Sequence, residues 1–340
     1  MAKAILLLSG GLDSTLAGKM LLEMGVEVSA INFTSPFCNC TPRSMGCSAA
    51  RMAAHQLGIA VRAFSCKEDY LEIMKHPRFG RGSHMNACLD CRVHIFSRAR
   101  VVMIAEQADF VATGEVLGER PMSQRRAAME LIERESGLQG RILRPLSGQL
   151  MPETKAERDR LIDRSRLAAI RGRSRKPQFA LAAELGLKDY LCPAGGCLLT
   201  DPEFAARFED LLDHEPEFGI ADAVLLRYGR HFRLPSGSKI ICGRDGTENP
   251  IIEQAWRPGD TLLIPVGLPG PSVLCRGTRG QEDVALAARV LATYTKGGLE
   301  LRVAERRPDL EVTELAPAPA QPLDKEQAAL WRIGSPAPPR

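Results

Sequence analysis

The residues whose types and order most clearly suggest chemistry are Ser9-Gly10-Gly11-Leu12-Asp13-Ser14, set between four apolar residues (5–8) and a helical pattern over 15–25. The apolar run reads as a buried parallel strand, so the six residues form a strand-to-helix turn. Such a turn can cradle phosphate. Gly10 and Gly11 let the backbone approach an anion and aim its N–H groups inward, and the helix start adds partial positive charge. Ser9, Ser14 and Thr15 add hydroxyl donors. The pattern lacks the lysine of a G-x-x-x-x-G-K-[ST] loop, which excludes the Walker type. The plainer alternative is a tight turn with Asp13 and Ser14 as caps.

A second group is sulfur. Cys88 and Cys91 stand three apart at the start of a helical stretch, so both thiols face one way, and a helix N-terminus favours the thiolate. The spacing suits part of a metal site, a redox dithiol or plain packing. Cys192 and Cys197, in a turn rich in Pro and Gly, supply further thiols. Three thiolates suit a [4Fe–4S] cluster with one iron left without a protein ligand, whereas four would close a structural zinc site. Cys38, Cys40 and Cys47 form a third group that fits metal binding, persulfide relay or an uninvolved loop. Cys66, Cys242 and Cys275 lie in β-like runs and read as buried small apolar residues.

Elements must hold these groups in place. Strand patterns at 3–9, 26–33, 60–66, 110–114 and 142–147 alternate with helical ones at 14–24, 45–57, 88–107, 121–136 and 152–168. That order predicts an α/β fold with a doubly wound parallel sheet, ligands lying at the carboxyl ends of its strands. A helix near 177–186 leads to a turn-rich crossing at 191–202, which sets the first domain at 1–202. Residues 203–312 predict a smaller α+β domain, with strands at 223–227, 238–243, 261–266, 272–276 and 299–303. From 313 to 340 the Pro- and Ala-rich sequence predicts a flexible tail.

The chain has 340 residues, 44% hydrophobic and 25% charged, with a net charge of +4, which is ordinary for a soluble globular protein. No apolar run approaches the length of a membrane span and no cleavable leader is evident, so a cytoplasmic protein without a membrane partner is expected. Global charge says little, but residues 155–176 hold nine Lys or Arg. Such a segment could track a phosphate backbone or be a solvated face laced with ion pairs.

Residues 9–14 match S-G-G-x-D-S, the signature of the PP-loop of N-type ATP pyrophosphatases, at every fixed position. Together with the Cys88/Cys91 pair and the segment from Val111 to Gln124, residues 1–202 resemble the PP-loop tRNA thiouridylases, similar to 4-thiouridine synthetase and 2-thiouridylase. The resemblance implies that ATP is cut between its α and β phosphates, with Mg²⁺ screening the charge, while AMP is joined to a uracil carbonyl oxygen that sulfur then replaces. It implies Asp13, Ser14, Cys88 and Cys91 as catalytic residues. Ser9, Gly10, Gly11, Asp13, Ser14, Asn32, Gly114 and Gln124 would contact the nucleotide. Cys88, Cys91 and Cys197 would carry a [4Fe–4S] cluster, with Cys192 as the alternative third ligand.

The expected substrate is tRNA, at the uridine of position 8, with inorganic sulfide or a cysteine desulfurase persulfide as sulfur donor. A 2-thiouridylase-type reaction, or adenylation of a small molecule, is the alternative. The THUMP and rhodanese-like domains of longer synthetases are expected to be missing. Residues 238–249 resemble instead the RNA-binding module of NFACT proteins, where Arg227, Arg230, Arg233, Lys239 and Arg244 would meet phosphate or decorate a surface.

Overall fold

A computed structural model describes residues 1–39, 48–188, 190, 196–277, 280–295, 303–307, 310–314 and 321–334. The chain divides into two compact units, Met1–Leu198 and Leu199–Arg340. The first runs β1 (Lys3–Leu7), α1 (Leu12–Glu23), β2 (Glu27–Thr34), α2 (Ser48–Leu57), β3 (Val61–Ser65), α3 (Glu68–Lys75), α4 (Cys88–Ala105), β4 (Phe110–Thr113), α5 (Arg126–Ser136), β5 (Ile142–Leu143), α6 (Lys155–Arg158) and α7 (Lys176–Glu184).

All five strands pair in parallel in the order β3-β2-β1-β4-β5. This is the doubly wound arrangement predicted from the alternating pattern. β1 is apolar throughout its centre because both its faces are covered. Its residues alternate between two cores: Ala4, Leu6 and Leu8 pack with Ala17, Leu21 and Ala53, while Ile5 and Leu7 pack with Phe96, Ala99 and Ile132. One core therefore sits under α1 and α2, the other under α4 and α5. The strand order reverses at β1, so the carboxyl ends of β1 and β4 open a crevice between them.

Two glycines let the chain close tightly there. Gly10 has φ +82°, and a Cβ on it would lie 2.2 Å from the Ala49 carbonyl carbon. Gly114, just after β4, meets the first turn of α1: a Cβ would lie 2.3 Å from the Asp13 carbonyl carbon and 2.4 Å from the Ser14 nitrogen.

The second unit contains α8 (Pro202–His214), α9 (Ile220–Leu225), β6 (Arg230–Arg233), β7 (Lys239–Cys242), α10 (Asn249–Gln254), β8 (Thr261–Pro265), β9 (Val273–Arg276), α11 (Gln281–Tyr294), β10 (Val303–Arg307), β11 (Leu310–Glu314) and α12 (Lys325–Trp331). Its strands form a separate antiparallel sheet in the order β11-β10-β8-β9-β7-β6. Phe232, Ile240, Val273, Val290 and Leu291 build its core, together with Cys242 and Cys275, which are fully buried as their β-like runs predict. Among the described residues, no helix is long and apolar enough to cross a membrane.

Several local expectations differ from the structure, three of them in kind or extent. The apolar run at 223–227 is not a strand. Asp222 accepts a hydrogen bond from the Gly219 nitrogen at 3.1 Å, and this N-terminal cap starts α9 instead. The helix expected over 152–168 stops at Arg158 and is followed by Arg160 at φ +59°. The stretch expected as a tail from 313 contributes the end of β11 and all of α12, with Leu323 and Ala328 in the second unit's core.

The glycine geometry leads to a test by denaturant unfolding. Gly10→Ala should cost about 2–5 kcal/mol, from the left-handed backbone plus an overpacked contact. Gly25→Ala, with φ +78° but nothing within 4 Å of the added Cβ, should cost only about 1–2 kcal/mol. Equal losses at the two positions would mean that the Gly10–Ala49 approach carries no constraint.

Candidate functional site

The crevice at the carboxyl ends of β1 and β4 is lined by Ser9, Gly11, Asp13, Ser14, Asn32, Gly114 and Gln124. Of the residues expected to contact nucleotide, only Gly10 stands outside the lining. It makes the turn, while Gly11, in extended conformation, caps α1. The turn is held by its own hydroxyls: the Ser14 hydroxyl donates to the Gly11 carbonyl at 3.0 Å and lies 3.1 Å from the Ser9 hydroxyl. Thr15 Oγ1 also donates to the Gly11 carbonyl at 3.0 Å. Thr15 therefore braces the helix start, and it is Ser9 and Ser14 that face the crevice.

Asn32 donates from Nδ2 to the Leu8 carbonyl at 2.8 Å, which fixes its amide. Its Oδ1 is buried with no protein partner, an acceptor left for a ligand donor. Gln124 is locked into the turn after β4, where its Oε1 accepts from the Arg120 nitrogen at 3.0 Å.

Asp13 has the most unusual surroundings. Burial, reinforced by the charge of Glu119, pushes its carboxyl up to about 6, against the opposing pull of Arg175. Arg175 Nη2 lies 3.0 Å from Asp13 Oδ2, and Arg175 Nε lies 3.3 Å from Glu119 Oε1. Asp13 Oδ1 is buried without a partner. A desolvated carboxylate oxygen lacking a donor suits a hard divalent cation, so the residues present fit Mg²⁺. Arg175 and Glu119 were not singled out in the sequence. Arg175 was one cation among nine in the basic run, and Glu119 lay unremarked inside the 111–124 segment.

The thiol helix adjoins the same crevice. α4 begins at Cys88, and its Arg92 and Ile95 line the crevice. Arg92 Nε lies 3.4 Å from Glu115 Oε1, and Arg144 Nε lies 3.2 Å from the other oxygen, so a buried ion network backs the wall. Cys91 accepts a hydrogen bond from the Tyr70 hydroxyl at 3.3 Å. The helix start was expected to favour its thiolate. Burial wins instead and pushes the thiol up to about 12, with Cys88 and Cys197 adding to the rise. Cys197 is thus within electrostatic reach of the pair. Among the described residues, no three His, Cys, Asp or Glu side chains gather closely enough to hold one ion. The donor set still has the chemistry of a thiolate cluster site, since a bound metal deprotonates such thiols outright. Cys40, Cys47 and Cys192 lie outside the described residues.

The basic residues expected at an RNA surface are engaged inside the second unit. Lys239 and Arg233 both bind Asp210, at 2.8 and 2.7 Å, and Arg244 pairs with Glu248. Arg230 sits 4.3 Å over the Tyr294 ring. In the run at 155–176, Lys155 pairs with Asp159, Arg164 with Glu157, and Arg166 donates to the Glu23 carbonyl.

The pH dependence of Asp13 follows from its surroundings. Its folded-state value of about 6 lies above the ordinary 3.8, so the stability tied to the protonated form is lost as pH rises from about 4 through about 6. Asp13→Asn should therefore stabilise the protein by up to about 2 kcal/mol at pH 7.5 and by little at pH 4. Urea unfolding at both values measures it, and a gain independent of pH would contradict the burial account.

Comparison with known proteins adds the last evidence. Residues 1–153 match the family model described as thiamine biosynthesis protein (ThiI), and residues 229–332 match the NFACT protein RNA binding domain. No curated protein matches the chain in sequence. Among solved structures, a 4-thiouridine synthetase in complex with RNA and ATP is 22% identical, with TM-score 0.33, over 55% of this chain and 52% of that one. The present chain thus spans about half of that synthetase. The U34-tRNA thiolase NcsA from Methanococcus maripaludis, with its [4Fe–4S] cluster, is 20% identical, with TM-score 0.33, over 66% and 70% of the two chains. The C-terminal part of a fibronectin/fibrinogen-binding protein from Streptococcus suis is 12% identical, with TM-score 0.27, over 78% and 98%. The chain therefore joins a ThiI-family domain to an NFACT-type RNA-binding domain.

Proposed function

We propose that the protein is an ATP-dependent tRNA sulfurtransferase that makes 4-thiouridine at position 8. The observation that carries this reading is the crevice at β1 and β4, where Asp13, with its unpartnered oxygen, faces Ser9, Ser14 and Asn32. The ThiI-family match covers that crevice except for Arg175, together with the helix bearing Cys88 and Cys91. The RNA-binding domain match favours an RNA substrate over a small molecule.

In this reading the uracil carbonyl oxygen attacks the α-phosphate of ATP, and pyrophosphate leaves. The Gly11 N–H and the Ser9 and Ser14 hydroxyls hold the departing anion at the start of α1. Asp13 would hold Mg²⁺, which neutralises phosphate charge. Arg175 exchanges its Asp13 contact for the pyrophosphate, so the same cation that pairs with Asp13 binds the leaving group. Asn32 accepts from the nucleotide and Gln124 lines its far wall. Cys88, Cys91 and Cys197 would hold a [4Fe–4S] cluster, whose chemistry is to supply the sulfide that displaces AMP. α4 carries Cys88 one turn before Arg92 and Cys91 next to it, so sulfur and adenylate meet across one helix end. The reaction draws its sulfur from sulfide or a desulfurase persulfide.

Two experiments test this. With unmodified tRNA, Asp13→Ala and Ser14→Ala should each reduce AMP release by roughly 10²-fold or more while keeping tRNA affinity. Chromatography of the digested tRNA should separate 4-thiouridine from 2-thiouridine. Normal turnover in both variants would remove the crevice as the nucleotide site. For the cluster, anaerobically prepared protein should be brown, and Cys88→Ala, Cys91→Ala and Cys197→Ala should be colourless. Cys242→Ala should keep the colour, because that thiol is buried in the other unit. Stoichiometric zinc without iron would reject sulfide delivery from a cluster.

A further inference from the structure

We infer that Cys38 and Cys197 form a redox-active dithiol, a disulfide-forming site that takes a low-molecular-weight disulfide as its oxidant. The backbone pattern brings the two together. They are directly opposite partners in an antiparallel bridge. The hydrogen bonds that frame them run between their neighbours: the Asn39 nitrogen donates to the Gly196 carbonyl at 3.2 Å, and the Leu198 nitrogen donates to the Phe37 carbonyl at 2.8 Å. That makes Cys38 and Cys197 a non-hydrogen-bonded pair, the class in which Cα atoms stand about 4.5 Å apart and side chains approach closest. The span lies inside the range of roughly 4.4–6.8 Å that a disulfide bridges without backbone movement.

Both residues stand as thiols, and both are partly open to solvent. A small oxidant can therefore reach them. The Ser35 nitrogen and hydroxyl lie 3.3 and 3.4 Å from Cys38 Sγ, so this side chain is held in place at the end of β2. Cys38, the thiol that Ser35 holds in place, makes the first attack.

The electron balance closes with glutathione disulfide. The Cys38 thiolate attacks one sulfur, the S–S bond of glutathione disulfide breaks, and one glutathione thiolate leaves. The Cys197 thiolate then attacks Cys38 Sγ, the mixed disulfide breaks, and the second glutathione leaves. Two protein thiols have lost two electrons to the small disulfide, and their two protons end on the two glutathiones. The bridge ties the segment after β2 to the end of the first unit. It also withdraws Cys197 from Cys88 and Cys91. Formation of the crosslink does not depend on the thiolation reading.

The test uses the full chain, reduced anaerobically, then exposed to glutathione disulfide and digested without reductant. Cys40 shares a tryptic peptide with Cys38, and Cys192 with Cys197, so fragmentation and single variants assign the bond. We expect one linked peptide pair, two hydrogens lighter than the separate peptides. It should vanish in Cys38→Ser and Cys197→Ser and persist in Cys40→Ser and Cys192→Ser. Because wild type supplies the primary reading, a variant that fails to fold leaves the assignment to fragmentation. A bond joining any other cysteines, or stable glutathione adducts on both Cys38 and Cys197 without a crosslink, would overturn the inference.

Discussion

The first unit depends on how closely three stretches of backbone approach one another where the strand order reverses. Gly10 passes the start of α2 at a distance no Cβ tolerates, and Gly114 meets the first turn of α1 in the same way. A side chain at either position would push a helix away from the sheet. The crevice exists because the connections leaving β1 and β4 run to opposite faces of the sheet, and it is narrow because Gly114 carries no Cβ where it meets α1. Ser9, Asp13 and Ser14 owe their positions to that contact rather than to packing of their own. Side-chain hydrogen bonds within the turn then fix what the backbone has brought together.

Electrostatics at this site run against stability. Asp13 is a carboxylate held partly out of water beside Glu119, with Arg175 only partly compensating. Such an arrangement costs stability on its own and is useful to a protein that receives a cation and an anion together. The thiols follow the same logic. Cys91 sits at a helix start, where the dipole favours its anion, yet burial dominates and keeps the proton on. In both groups burial raises the pKa, and a bound metal would pull it back down.

Much of this was legible from residue order. The alternation of apolar strands with helical stretches implied the doubly wound sheet, and Ser9–Ser14 with Asn32, Gly114 and Gln124 marked most of the crevice. Arg175 and Glu119 were not legible, because ion pairs between residues 13, 119 and 175 depend on tertiary proximity that no local pattern carries. The second unit read less well. The 223–227 run has strand-like apolar content, but the Asp222 cap, a single hydrogen bond, decides for helix. The basic residues there suggested a surface, whereas Asp210 draws Arg233 and Lys239 inward. Charge type is visible in a sequence, but the partner that neutralises it is not.

The last described residues of the second unit illustrate a different kind of work. β6 is an edge strand, and beyond it the chain returns so that Phe232 bridges Arg332 and the Ile333 nitrogen donates to the His231 carbonyl at 2.9 Å. An open edge offers its unpaired N–H and C=O groups to any extended chain, including a second copy of itself. The short return occupies part of that row, and α12 beside it supplies Ala328 to the core. Residues that composition marked as tail therefore cover part of an edge that would otherwise stand open to strand-to-strand association.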